Sequence, residues 1–257
     1  MATQPTQQLP LFYQSLTLLQ KDQHASWGLK QRSEMNFARQ THAVPLTVDE
    51  FAAAQKHFPI VFGSGEGAVP LALVGLQEGR NLFIGEDGNW APGVYVPAYI
   101  RRYPFLLVKE HPDAQVLSLV FDESAEMLGP DEETKLFDGT EPTDTTKNIL
   151  TFCEQFEQAI ARTKSFMDEI EKLGLLMEGE AQIQQTGVEQ PAVFRGFRMV
   201  DEQKLQNIRG DQARKAVQNG MMGLIYAHLF SLGEMRNLFE RQVALGQAEA
   251  QPTLTQA

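Results

Sequence analysis

The sequence has a single cysteine, Cys153, among its 257 residues. One cysteine excludes an internal disulfide framework and a zinc site built from several thiolates. Because Cys153 falls among apolar residues of a predicted helix, we expect a buried thiol and not a nucleophile. The five histidines show neither the His-x-His nor the His-Glu-x-x-His spacing of metal ligands, so we predict no metal site.

The sequence also lacks a net positive charge and a long apolar run. Its formal net charge is −11 at pH 7, which repels phosphate, so we expect no nucleic-acid partner. The most apolar stretch, Met221 to Leu232, covers about a dozen residues and includes a histidine, which is too short and too polar for a membrane span. The first ten residues lack the basic start and apolar run of a secretory signal, so a soluble cytoplasmic protein is expected.

Known catalytic and nucleotide-binding motifs are missing as well. The segment Gly63-Ser-Gly-Glu-Gly67 follows a predicted strand, but Ala68 stands where the dinucleotide-binding spacing needs a third glycine. No Gly-x-Ser-x-Gly elbow, kinase signature or Ser-x-x-Lys motif with its partners is present. We therefore interpret the glycine-rich segment as a surface turn, expect no cofactor, and leave the catalytic residues unknown.

Short β-branched and aromatic runs fill the first half of the chain, with turn sequences between them. The predicted strands are Phe12–Leu19, Pro59–Phe62, Val69–Leu76, Leu82–Ile84, Phe105–Val108 and Val116–Phe121. Their spacing indicates an antiparallel sheet connected by hairpins. Residues 122–144 carry nine Asp or Glu residues and are predicted to form an acidic surface loop.

Helical signals dominate the second half, after one early helix start. The capping box Thr47-Val-Asp-Glu50 predicts a short helix. Apolar residues at three- and four-residue steps predict a long helix over about Thr145–Leu173. A hairpin across Thr186-Gly187 is expected next, and Asp201 and Asp211 are expected to cap a short helix and then a long one.

These elements predict an α+β fold. It consists of a mostly antiparallel sheet in the N-terminal half, with two long C-terminal helices packed on it. Residues 1–10 and 246–257 are polar and are expected to be a disordered N-terminus and a disordered tail. Residues 11–245 are then expected to form a single domain.

The most unusual chemistry lies in Tyr95–Phe105, which reads Tyr-Val-Pro-Ala-Tyr-Ile-Arg-Arg-Tyr-Pro-Phe. Pro97 and Pro104 fit the start and end of a short helix, on which Arg101 diverges from the face of its neighbours. Paired arginines suit planar capture of carboxylate or phosphate, and tyrosines suit sugar rings or flat ligands. The alternative that the arginines pair with the protein's own carboxylates, while the tyrosines cover the sheet, stays open.

The candidate ligand site also includes a loop that precedes the sheet. His42 and Arg39 lie together in this loop, a kind of segment in which functional residues concentrate. A structural role for His42 is the alternative. The full set of candidate ligand-binding residues is Tyr95, Tyr99, Arg101, Arg102, Tyr103, His42 and Arg39.

Several segments of the chain resemble the SapC family of bacterial proteins. They are Phe37–Leu46, Pro59–Phe62, Gly93–Phe105, Leu136–Asp138, Arg195–Phe197 and Ala227–Leu232. The resemblance covers about residues 10–240, and Tyr95–Phe105 is its most specific block. It implies a SapC-like accessory or binding protein of a bacterial cell-surface or nutrient-uptake system, with surface-layer association and an unknown biochemical activity.

The resemblance also implies partners. Similar proteins are often encoded near halogenase-like flavoproteins, cupin-like dioxygenases and TonB-dependent receptors, so a carbohydrate, peptide or protein partner is expected. The alternative is an enzyme that modifies a peptide or glycan with halogenase-like or dioxygenase partners, using His42, Tyr99, Arg102 and Asp122. The family supplies no catalytic residues to carry over, and we favour the non-enzymatic interpretation.

Overall fold

The computed structural model describes residues 9–30, 34–65, 67–111, 116–183 and 192–245. The ends expected to be disordered lie outside these ranges, apart from Leu9 and Pro10, and so does the turn predicted at Thr186-Gly187. The chain divides into two compact units, the first within Met1–Ser33 and Arg102–Glu157 and the second within Glu34–Arg101 and Gln158–Ala257. The single domain expected over residues 11–245 stays a prediction.

Strands and helices are numbered separately in chain order. The strands are β1 (Leu16–Leu18), β2 (Trp27–Leu29), β3 (Ala43–Pro45), β4 (Ile60–Phe62), β5 (Pro70–Leu73), β6 (Phe105–Val108), β7 (Ser118–Asp122), β8 (Leu128–Pro130), β9 (Thr134–Lys135), β10 (Phe137–Asp138), β11 (Glu141–Pro142), β12 (Leu176–Ile183) and β13 (Ala192–Val200). The helices are α1 (Lys21–His24), α2 (Phe51–Ala54), α3 (Ala98–Arg102), α4 (Asp144–Lys172), α5 (Glu202–Gln206), α6 (Gly210–Gln218), α7 (Met221–Ser231) and α8 (Glu234–Ala244), with 3-10 turns at Asn36–Ala38 and Val48–Glu50. Antiparallel sheets with helices concentrated in the C-terminal half confirm the α+β class.

The first unit contains three small antiparallel sheets, ordered β1-β7-β6, β8-β2-β9 and β10-β11. Its core includes Phe105, Phe121 and Cys153, so the expectation of a buried thiol is confirmed. The prediction of a loop over residues 122–144 is wrong, because β8 to β11 lie within it. Leu128 and Leu136 are buried in the same core. Burying these side chains stabilises short strands in a segment whose acidic composition is typical of a loop.

The second unit contains one five-stranded antiparallel sheet, ordered β12-β13-β4-β5-β3. The predicted pairing of the last two strands is confirmed, with Leu176 opposite Val200. Gly179 lies at a register shift in β12, and a Cβ there would come within 2.1 Å of the Phe197 ring. Only glycine therefore lets that ring lie across the strand.

The C-terminal helices differ from the prediction in number. Asp201 caps α5 as expected, since its Oδ1 accepts from the Gln203 and Lys204 amides at 3.0 and 3.1 Å. The single long helix predicted after Asp211 is instead α6, α7 and α8. Gly220 has a φ of 81°, a left-handed conformation that interrupts a right-handed helix. Among the described residues, no helix is both long enough and apolar enough to cross a membrane.

His228 on α7 is a fully buried core histidine. Its Nδ1 lies 2.7 Å from the Ile60 carbonyl oxygen, to which it donates, and its Nε2 accepts from the Val200 amide at 3.0 Å. The bond accepted at Nε2 requires the neutral ring, because a charged imidazolium donates from both nitrogens. Burial lowers the pKa of His228 to about 4. One imidazole thus ties α7 to β4 and β13.

We predict that His228 makes stability depend on pH in the mildly acidic range. Its folded pKa of about 4 lies below the ordinary 6.5, so between these values the unfolded chain binds a proton that the folded chain does not. Stability therefore falls as the pH falls through this window, by about 3 kcal/mol from this group. Urea unfolding across this range measures the loss.

Substitution of His228 by glutamine tests whether this histidine causes the pH dependence of stability. His228→Gln is expected to be less stable at neutral pH but to lose less stability on acidification than the wild type. His111→Gln, at an exposed histidine, serves as the control and should keep the wild-type pH dependence. An unchanged pH dependence in His228→Gln would refute this assignment.

Candidate functional site

The Tyr95–Phe105 segment is divided between the two units. Residues up to Arg101 belong to the second unit, and Arg102 begins the part that belongs to the first. The short helix predicted here is α3, which begins directly after Pro97. The Pro97 carbonyl accepts from the amides of Ile100 and Arg101 at 3.0 and 3.1 Å.

A buried carboxylate, Glu50, organises the part in the second unit. Glu50 is 5% exposed, and its Oε2 accepts from both the amide and the hydroxyl of Thr47 at 2.9 Å. Its Oε1 accepts from the Ala98 amide at 2.6 Å and from the Tyr95 hydroxyl at 3.1 Å. The same side chain therefore completes the predicted helix start at Thr47 and satisfies an amide that the first turn of α3 leaves without a partner.

Arg101 is held at the surface by this arrangement. Its Nη2 donates to the Tyr95 hydroxyl at 3.2 Å and its Nε donates to the Val96 carbonyl at 3.0 Å, while its side chain stays exposed. The guanidinium carbon lies 5.7 Å from the centroid of the Tyr95 ring. We call Glu50, Tyr95, Val96, Ala98 and Arg101 together the Arg101 site.

The Tyr95 hydroxyl carries the link between Glu50 and Arg101. Burial raises the pKa of Tyr95 to about 12, and the negative charge of Glu50 acts in the same direction, while Arg101 opposes it. The phenol therefore keeps its proton at neutral pH and donates it to Glu50. Its oxygen remains an acceptor for Arg101, so the three side chains form a continuous hydrogen-bonded chain.

Arg102 has a different environment, within the first unit. It is 6% exposed, and its guanidinium carbon lies 4.4 Å from the centroid of the Phe156 ring and 5.8 Å from that of Tyr13. Its Nη1 is 3.6 Å from Glu157 Oε1. Burial raises the pKa of Glu157, and the charge of Arg102 opposes this shift. Arg102 thus pairs with one of the protein's own carboxylates, as one sequence interpretation held.

Tyr103 lies beside a second buried carboxylate, Asp122. The Asp122 oxygens accept from the amides of Gln14, Ser15 and Ser124 and from the Ser124 hydroxyl at 2.7–3.1 Å, and Tyr103 donates to Asp122 at 3.4 Å. Burial raises the pKa of Asp122, but these hydrogen bonds outweigh it and hold the pKa below its ordinary value. Asp122 is therefore an ionised structural anchor between β1 and β7.

The remaining candidate residues lie in the second unit. Tyr99 is buried, in agreement with the prediction that Arg101 diverges from its face. The Arg39 guanidinium donates to the Gly85 and Glu86 carbonyls at 2.8 and 3.3 Å and so ties two loops together. His42 is half-buried, and burial lowers its pKa while the charge of Glu78 opposes the shift. A ligand-binding role for these three residues stays a prediction.

Glu50 is the residue that the sequence placed in no candidate site. The capping box identifies it as a helix start, but its partners Tyr95 and Ala98 are 45 and 48 residues away, so no local pattern announces the link. A glutamate in a capping box flanked by apolar residues is the one sequence feature that points to a buried role for Glu50. Among the described residues, no group of three or more His, Cys, Asp or Glu side chains could hold a metal ion.

We predict that Glu50→Ala strongly destabilises the fold. Four hydrogen-bond donors would lose their acceptor inside the protein, which is expected to cost about 3–5 kcal/mol. Urea unfolding measures the change, and Glu240→Ala, at an exposed glutamate paired with Arg236, should cost less than about 1 kcal/mol. Equal costs for the two variants would show that Glu50 has no special structural role.

We also predict that the adjacent arginines respond differently to truncation. Arg102→Ala removes a buried cation from its aromatic rings and leaves Glu157 without its countercharge, at an expected cost of about 2–4 kcal/mol. Arg101→Ala removes exposed bonds and is expected to cost less than about 1 kcal/mol. Thermal and urea unfolding of both variants test this difference, and a larger loss in Arg101→Ala would contradict it.

Comparison with known proteins identifies the family to which this chain belongs. No curated protein and no solved structure matches the sequence. The family model of SapC matches residues 19–238, a span that includes Glu50, Tyr95 and both arginines. Since this match covers most of the sequence, the chain belongs to the SapC family.

Proposed function

We propose that this chain is a ligand-binding accessory protein of a bacterial cell-surface or nutrient-uptake system, and that it holds an anionic ligand at the Arg101 site. The observation that carries the proposal is the exposed guanidinium of Arg101, fixed by the Tyr95 hydroxyl and the Val96 carbonyl. Tyr95 is in turn fixed by the buried carboxylate of Glu50. The cation is therefore held in place before any ligand arrives.

A fixed guanidinium favours binding for a thermodynamic reason. Ordering a flexible side chain at an interface costs about 0.5–1.5 kcal/mol. The bonds to Tyr95 and Val96 already order Arg101 in the free protein, so binding loses less entropy. The planar fork of an arginine matches the two oxygens of a carboxylate. The neighbouring Tyr95 ring adds a face suited to a sugar. An acidic sugar or a peptide carboxylate is the ligand class that fits both groups.

The pKa shifts of Cys153, Tyr95 and His228 bear on acid–base catalysis by these groups. General acid–base catalysis works best with a pKa near the operating pH. Burial raises the pKa of Cys153 to about 11 and that of Tyr95 to about 12, and it lowers that of His228 to about 4. Each of these three groups keeps one protonation state at neutral pH, so none of them suits general acid–base catalysis.

The proposed partners follow from the same role. A binding protein of this kind would present a carbohydrate or peptide to other components of the system. We propose halogenase-like flavoproteins and TonB-dependent receptors as functionally linked proteins, as the resemblance to the SapC family implies.

Calorimetric titration with defined acidic and neutral probes tests the ligand class. We predict that trigalacturonate, or a peptide of Asp and Glu with a free carboxyl terminus, binds the wild type. Their neutral counterparts, maltotriose and an amidated peptide of Asn and Gln, should not bind. Arg101→Ala should weaken binding about tenfold or more, because a charge-assisted pair is lost.

Two further variants separate a site effect from a general charge effect. Arg101→Lys keeps the charge but loses the fork, so intermediate affinity is expected. Arg236→Ala removes an exposed helical arginine elsewhere on the second unit and should bind as the wild type does. Binding that is unchanged in Arg101→Ala, or equally weakened in Arg236→Ala, would rule out the Arg101 site.

A further inference from the structure

Helix α7 has an exposed aromatic face that the Arg101 site does not explain. Phe230 is 72% exposed and Tyr226 is 44% exposed. Their rings lie against each other, with centroids 5.8 Å apart and an interplanar angle of 29°. The two residues are four positions apart and so occupy the same side of the helix. Two large apolar rings on a surface are typical of an interaction site.

The same side of the helix carries no side chain one turn before Tyr226, at Gly223. Gly223 is exposed, and a Cβ built at this position meets no heavy atom within 4 Å. Gly223 lies three positions before Tyr226, and Phe230 lies four positions after it. The face therefore carries an open position without a side chain at one end and an exposed ring at the other, with Tyr226 between them. We call Gly223, Tyr226 and Phe230 the α7 face.

This order of features is complementary to itself. If two copies of α7 pack antiparallel about a twofold axis near Tyr226, each residue after Tyr226 lies opposite one that is equally far before it. Phe230 of one copy then meets the region of Gly223 of the other. Each Phe230 ring then lies over the open position of the other copy, once on each side of the axis.

The charge pattern is also compatible with a second copy. The whole stretch Gly220–Gly233 contains no Asp, Glu, Lys or Arg, although the chain carries a net charge of −11. A twofold interface brings the same surface against itself, so any charge at its centre would meet a like charge. The α7 face avoids this repulsion, and it also lacks the charges that would select a strongly acidic or basic partner.

We infer that the α7 face is a homodimer interface, in which Phe230 of each copy packs against Gly223 of the other. The inference does not depend on the Arg101 site, because the two rest on different residues. It applies to the full chain in solution.

Sedimentation velocity of the full chain, from micromolar to hundreds of micromolar, tests the inference. The wild type is expected to dimerise with increasing concentration. Phe230→Asp should weaken dimerisation about tenfold or more, as truncation of a central aromatic contact does. Val116→Asp, at a side chain 76% exposed in the first unit, is the matched control and should dimerise as the wild type does.

A second variant, Gly223→Leu, distinguishes a loss of dimerisation from a folding defect in Phe230→Asp. Gly223→Leu places a side chain at the open position, where its Cβ would meet no heavy atom within 4 Å. Leucine is also a better helix former than glycine, so the variant should be folded and monomeric. A monomeric wild type over the whole concentration range would overturn the inference. So would a Gly223→Leu variant that dimerises as the wild type does. Flotation with neutral phosphatidylcholine vesicles that depends on Phe230, in a protein that stays monomeric, would overturn it in favour of a lipid surface.

Cross-linking tests the position of the axis. In Tyr226→Cys two introduced thiols would face each other across the twofold axis and form a disulfide-linked dimer under mild oxidation. The native Cys153 is buried, so it contributes little background. Val116→Cys should give no comparable product. Equal cross-linking of the two variants would contradict the proposed geometry.

Discussion

The buried carboxylate of Glu50 is the constraint on which the candidate site depends. A buried ionised group is tolerated only when hydrogen bonds replace its lost hydration. Glu50 meets this requirement with donors from the Thr47 turn and from the start of α3. The position of Tyr95, and through it that of Arg101, follows from this one requirement.

Arg101 and Arg102 are adjacent on α3, but one side chain is exposed and the other is buried. Successive residues on a helix point about 100° apart, so Arg101 faces solvent while Arg102 lies over Phe156. The buried arginine and Asp122 stabilise the first unit. The proposed function concerns the exposed arginine, Arg101.

Local signals in the sequence predicted a large part of the fold. The capping box at Thr47, the long periodic helix α4 and the strand Phe105–Val108 all appear as expected, because each is encoded by neighbouring residues. The break at Gly220 was missed because the apolar periodicity continues across it, and only the backbone conformation ends the helix. The strands between Asp122 and Asp144 were missed because nine acidic residues outweigh Leu128 and Leu136 in composition. The Glu50–Tyr95 bond is a long-range contact, and no periodicity or motif specifies it.

An NMR titration that follows the Arg101 Nε–H resonance as trigalacturonate is added tests the proposed Arg101 site most directly. This hydrogen is bonded to the Val96 carbonyl, which slows its exchange with water and makes it observable. We predict a saturable shift of the Arg101 resonance, no shift of the Arg236 Nε–H resonance, and a weaker response in Tyr95→Phe. A stationary Arg101 resonance, or equal shifts at Arg101 and Arg236, would contradict the claim that Glu50 and Tyr95 prepare Arg101 for an anionic ligand.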